Sequence, residues 1–105
     1  MGTRVRLCTL AELDPGTARR FDVGDRRLAV VRIDDDVYVV GDRCTHQDIS
    51  LAEGDVLVEE RQIECWKHGS AFSLETGEPS SLPATKATPV YDVEQADGDV
   101  WVVLA

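Results

Sequence analysis

Residues 27–40 read RLAVVRIDDDVYVV: two runs rich in β-branched residues, 27–33 and 37–40, on either side of the acidic turn Asp34-Asp35-Asp36. Valine and isoleucine suit a pleated backbone and aspartate suits a turn, so this stretch predicts a β-hairpin. Working outward, residues 17–23 supply a preceding strand, with Gly24-Asp25 as the connecting turn. Residues 90–94 and 100–104 flank Ala96-Asp97-Gly98-Asp99 and predict a second hairpin. A further strand contains Val5 and Leu7. The one helical candidate is a short turn at residues 9–13 (TLAEL), where Thr9 is followed three residues later by Glu12, a capping-box pattern. The fold class expected is all-β.

The chain has 105 residues, enough for one ordinary domain and no second core, and its 43% hydrophobic content is that of a globular protein. The expected organisation is therefore one domain, 1–105. Strands from both ends form a base, and residues 41–83 form a loop-rich insertion that carries the site. That segment holds Gly41, Gly54, Gly69, Gly77, Pro79 and Pro83, with short apolar runs at 56–58 and 62–65. Loops of such length inside a small domain are usually functional.

Eleven basic and twenty acidic residues leave a net charge of −9, which argues against a nucleic-acid partner. The charge is uneven. Residues 1–32 carry seven arginines against four acids, whereas residues 33–105 carry four basic and sixteen acidic residues. No stretch approaches the roughly 18 apolar residues of a membrane span, and no signal-like apolar core opens the chain. A soluble, cytoplasmic protein without a membrane partner is expected. In such a compartment Cys8, Cys44 and Cys65 are too few and too scattered for a disulfide framework.

The chain has only two histidines, and each lies close to a cysteine: Cys44-Thr45-His46 and Cys65-Trp66-Lys67-His68, separated by the eighteen residues 47–64. Each box offers one thiolate and one imidazole. Zinc is one candidate, but zinc loops commonly grip with like ligands, C-x2-4-C or H-x3-5-H. A binuclear iron-sulfur cluster explains mixed boxes better, because each loop can give its cysteine to one iron and its histidine to the other. Isolated residues of these types are usually small hydrophobes or plain surface groups. Four of them in two paired boxes are not so easily dismissed.

With Gly69 and Ser70 after the second box, the pattern C-x-H, a gap of this length, then C-x-x-H-G-S resembles the Rieske family closely. Residues 50–54 (SLAEG) look like its turn between the boxes, and residues 76–79 (TGEP) like the turn after them. The resemblance implies a Rieske-type antiparallel β sandwich and one [2Fe-2S] cluster, with Cys44 and Cys65 on one iron and His46 and His68 on the other. It is strongest to the small ferredoxins that accompany Rieske non-haem iron oxygenases. Residues 63–70 (IECWKHGS) and 81–85 (SLPAT) are also similar to a bacterial group associated with iron-sulfur assembly operons.

Rieske proteins of cytochrome bc complexes tie their two loops with a disulfide. Ile49 and Lys67 stand at the corresponding positions here, so no such bridge is expected. The family's high-potential members place a serine and a tyrosine after the second box to donate to sulfur. Ser70 keeps its hydroxyl and Phe72 has none. Trp66, Leu82 and Pro83 are candidates to shield the cluster from water. Cys8 lies outside the boxes and reads as an ordinary structural residue.

An oxidised cluster with two thiolates is neutral and carries one negative charge when reduced, so a one-electron carrier is the expected function. Its donor would be a reductase and its acceptor an oxygenase or another redox protein. Both histidines are committed, which leaves none for the mononuclear iron of a catalytic oxygenase, and there is no G-x-G-x-x-G nucleotide fingerprint. The competing expectation is an accessory or redox-sensing module in iron-sulfur assembly.

Overall fold

A computed structural model describes residues 3–42, 50–66, 69–80 and 87–104. Strand β1 (Thr3–Thr9) leads into a 3-10 turn at Leu10–Glu12, followed by β2 (Thr17–Val23), β3 (Arg26–Ile33) and β4 (Asp36–Gly41). A second 3-10 turn, Leu51–Glu53, precedes three short strands, β5 (Asp55–Leu57), β6 (Gln62–Glu64) and β7 (Ala71–Ser73). The chain then closes with β8 (Val90–Ala96) and β9 (Asp99–Leu104). All pairings are antiparallel. They form a six-stranded sheet in the order β1-β9-β8-β4-β3-β2 and a three-stranded sheet in the order β5-β6-β7.

The apolar run of β3 is continuous because both of its faces are buried. Leu28 and Val30, with Val37 and Val39 of β4, pack in one core with Cys8, Leu13, Val100 and Val102. The alternate residues Ala29, Val31 and Ile33, with Val40, pack in a second core with Leu51, Ile63, Cys65, Phe72 and Leu74. One side of the β3–β4 hairpin is thus covered by the strands of the two chain ends, and the other by the small sheet. Between β4 and β8 only Val39↔Tyr91 and Val40↔Val90 pair, so the large sheet bends there and folds over its own core.

Both predicted hairpins form, with tighter turns than expected. Asp36 pairs with Ile33, leaving only Asp34 and Asp35 in the first turn, with Asp34 at φ +53°. Ala96 pairs with Asp99, and Asp97 and Gly98 both take positive φ (+53° and +80°), which matches the right-handed twist of the flanking strands. In β1 the register shifts between Arg6 and Cys8, so Leu7 is bulged and Cys8 turns inward. The turn after β1 carries the expected Thr9–Glu12 contact, Thr9 N–H donating to Glu12 Oε2 at 3.1 Å. Arg32 anchors that turn by donating to the carbonyls of Leu10 (3.2 Å) and Leu13 (2.8 Å).

The segment expected to be loop-rich contains a sheet of its own. Its strands have three residues each, too short for a period-two pattern to show. Val58, the last residue of the apolar run at 56–58, is exposed beyond the end of β5. Among the described residues no helix is long and apolar enough to cross a membrane.

Candidate metal centre

The second box begins where β6 ends. Cys65 is fully buried and free of any disulfide, in the same core as Leu51, Ile63, Phe72 and Leu74. Its N–H donates to the Ser70 carbonyl at 2.7 Å, and its own carbonyl accepts the Gly69 N–H at 2.9 Å. These two bonds close the neck of a tight loop running from Cys65 to Ser70. Trp66 follows at the surface with 54% of its area exposed, so its ring is not a core residue.

The neck of the first box is closed in a different way. Asp42, just after β4, is fully buried, and its carbonyl accepts the Leu51 N–H at 2.6 Å. Its carboxylate accepts the Ser50 hydroxyl at 2.6 Å and the Ala52 N–H at 2.8 Å. Residues 43–49, including Cys44 and His46, lie outside the described residues. So do His68, Leu82 and Pro83, together with Ile49 and Lys67, the residues that stand where a loop-tying disulfide would be.

The two necks are packed side by side. Leu51, hydrogen-bonded to Asp42, shares the core of Cys65, and a Cβ on Gly54 would overlap the Glu64 carbonyl oxygen on the strand that delivers Cys65. Behind them, Arg61 donates to Tyr38 Oη at 2.6 Å and to Asp36 Oδ2 at 3.2 Å, joining the small sheet to β4. Ser70 is fully buried, and Phe72, opposite Ile63 in the β6–β7 pair, is fully buried in the Cys65 core.

This arrangement fits an iron-sulfur cluster. A free thiol sits at one hydrogen-bonded neck, walled by apolar side chains, next to the neck of the loop that carries the other cysteine. Among the described residues no set of three His, Cys, Asp or Glu side chains converges, so they contain no rival metal site. Asp42 was not singled out from sequence, and Ser50 and Gly54 were read only as parts of the turn between the boxes. Asp42 followed eight residues later by Ser50 and Leu51 is a weak signal, since nothing in a sequence says that an acid will be buried.

Residues 3–92 match the Rieske [2Fe-2S] domain, and the chain belongs to that family. It is 41% identical over 99 residues to ferredoxin CarAc of Metapseudomonas resinovorans, covering 93% of this chain and 91% of the relative. Its structure is similar to the ferredoxin of carbazole 1,9a-dioxygenase from Nocardioides aromaticivorans IC177, with a TM-score of 0.92 at 36% identity, over 95% and 96% of the two chains. It is also similar to a chain in a complex of reduced oxygenase and oxidized ferredoxin in carbazole 1,9a-dioxygenase, with a TM-score of 0.85 at 41% identity, over 94% and 91%. The protein is a Rieske-type electron carrier with a [2Fe-2S] cluster, the carrier reading being favoured over the assembly module.

Proposed function

We propose that Cys44, His46, Cys65 and His68 hold the cluster, the cysteines on one iron and the histidines on the other, and that the chain carries electrons in the cytoplasm from a reductase to a Rieske non-haem iron oxygenase. The observation behind this reading is the buried, free Cys65 thiol at a closed loop neck, packed beside the neck of the other box. When bound, the cluster supplies a one-electron couple. Around Cys65, Leu51, Ile63, Phe72 and Leu74 exclude water, and the paired necks hold the loops so that ligands need not move when the charge changes. Leu82, Pro83 and the buried half of Trp66 would add to that shield. We read residues 1–105 as a single domain in which the β3–β4 hairpin is the rigid platform and residues 41–83 are the cluster-binding insertion.

Exposed carboxylates on the small sheet and its turns, Glu53, Asp55, Glu59, Glu60, Glu75 and Glu78, would steer the insertion toward a basic partner surface. The partner reading draws on a relative whose complex pairs a ferredoxin with its oxygenase.

The test is anaerobic purification followed by iron and sulfide analysis and reduced-state resonance spectroscopy. Two irons and two acid-labile sulfides with mixed thiolate and imidazole ligation are expected, and His46→Ala or Cys65→Ala should abolish them. One zinc per chain without sulfide would reject the assignment. Rapid oxidation of the reduced protein by a purified Rieske oxygenase tests the acceptor.

A further inference from the structure

Asp42 is fully buried, which is costly for an acid unless its oxygens are met. Both are met, by Ser50 Oγ–H on Oδ2 (2.6 Å) and Ala52 N–H on Oδ1 (2.8 Å). Its main chain works in the same direction. The Asp42 N–H donates to the Arg27 carbonyl on β3 at 2.9 Å, while its carbonyl accepts from Leu51 at 2.6 Å. One residue therefore fastens residues 50–52 to the doubly buried hairpin, and what it encloses is residues 43–49.

A plain main-chain turn could close such a loop without burying a carboxylate. Among the described residues the nearest cation, Arg20, offers incomplete compensation: its Nε is 3.7 Å from Oδ2 but 3.0 Å from Asp22, and its side chain is 43% exposed. Cys44 stands two positions after Asp42, so their Cα atoms are at most about 7 Å apart. At that range, inside a weakly polarisable interior, a negative charge opposes the arrival of an electron.

We propose that Asp42 is the positioning residue of the first cluster loop: its carboxylate holds the neck in the shape that presents Cys44 and His46, and its charge makes the bound cluster harder to reduce. The proposal rests on the ligand assignment above. A residue that served folding alone would alter stability and leave the reduction potential where it was.

The experiment uses purified holoprotein carrying Asp42→Asn, Asp42→Ala or Ser50→Ala, with voltammetry, reduced-state resonance spectra and the rate of iron loss to a chelator. Asparagine keeps the size and the acceptor for Ala52 N–H, and its amide can donate to Ser50 Oγ. Asp42→Asn should keep its cluster and favour the reduced form at least threefold at a fixed potential, about 30 mV upward for one electron. Asp42→Ala, which loses both carboxylate ties at the neck, should lose iron about tenfold faster, and Ser50→Ala, which loses one, should lie between it and the wild type. A wild-type potential in Asp42→Asn overturns the proposal, as do wild-type loss rates in Asp42→Ala and Ser50→Ala. If Asp42→Ala does not fold, Ser50→Ala decides the second arm alone. Cys44→Ser, measured alongside, separates the two assignments, because an unchanged cluster spectrum there removes the ligand reading whatever Asp42 does.

Discussion

Cys8 and Cys65 are both buried free thiols, but only Cys65 stands at a loop neck. Cys8 faces the core of the chain-end strands, where burial first and Glu12 second push its thiol up, with Arg19 and Arg6 pulling the other way. The folded state then keeps that proton to a higher pH than the unfolded chain does. The resulting stability is whole below the unfolded thiol value of about 8.5 and is lost as pH rises through the folded value. Cys8→Ala should flatten the alkaline decline in denaturant midpoint between pH 7 and 10 and leave the cluster spectrum intact; loss of the spectrum would show that the ligands are misassigned. Ser70 and Phe72 invite a second comparison. Hydrogen bonds to sulfur stabilise the reduced cluster, so one hydroxyl present and one absent puts the potential in the lower part of the Rieske range of about −150 to +300 mV. Voltammetry should find Phe72→Tyr higher and Ser70→Ala lower than wild type, and an unmoved Ser70→Ala would remove that serine from the account. At this scale the mixed boxes were legible because thiolate and imidazole are rare in this chain. Asp42 was not, because burial is a property of the fold around it.

Among the elements, the β3–β4 hairpin was plain in the sequence and the small sheet was not. The runs LAVV at 28–31 and VYVV at 37–40 announce strands, whereas QIE and AFS acquire strand character only by pairing with each other and, for QIE, with β5. The turn that binds the two regions together depends on Gly54. A methyl group there would collide with the Glu64 carbonyl, so Gly54→Ala must lift the Leu51–Glu53 turn from β6 and separate the loop necks. We expect a stability loss of about 2 kcal/mol or more with a markedly lower iron content, measured by denaturant unfolding and metal analysis. Gly98→Ala provides the contrast. It strains a positive φ in open space, and about 1 kcal/mol should be lost with the iron content unchanged.

Across the whole molecule the charge is lopsided, −9 overall, with the acids concentrated after residue 32. Composition alone made this legible, although it could not tell which carboxylates face water and which, like Asp42, are enclosed. If docking relies on the exposed set, the bimolecular electron-transfer rate to an oxygenase should fall steadily between roughly 20 and 500 mM salt, as the screening length shrinks from well above 10 Å to a few ångström. A flat profile in stopped-flow measurements would contradict electrostatic steering. The pairing of β1 with β9, Thr3 opposite Leu104, also bears on how the protein comes to exist in a cell. A sheet whose first strand bonds to its last cannot be completed while the ribosome still holds the final strand, and contacts so distant along the chain form slowly. The hairpin platform and the insertion emerge earlier. The newborn chain therefore passes through an interval in which the core around Cys65, built wholly from residues 29–74, is already outside the ribosome while the opposite face of the β3–β4 hairpin still waits for Val100 and Val102, so the cluster side of the molecule can assemble before β9 docks.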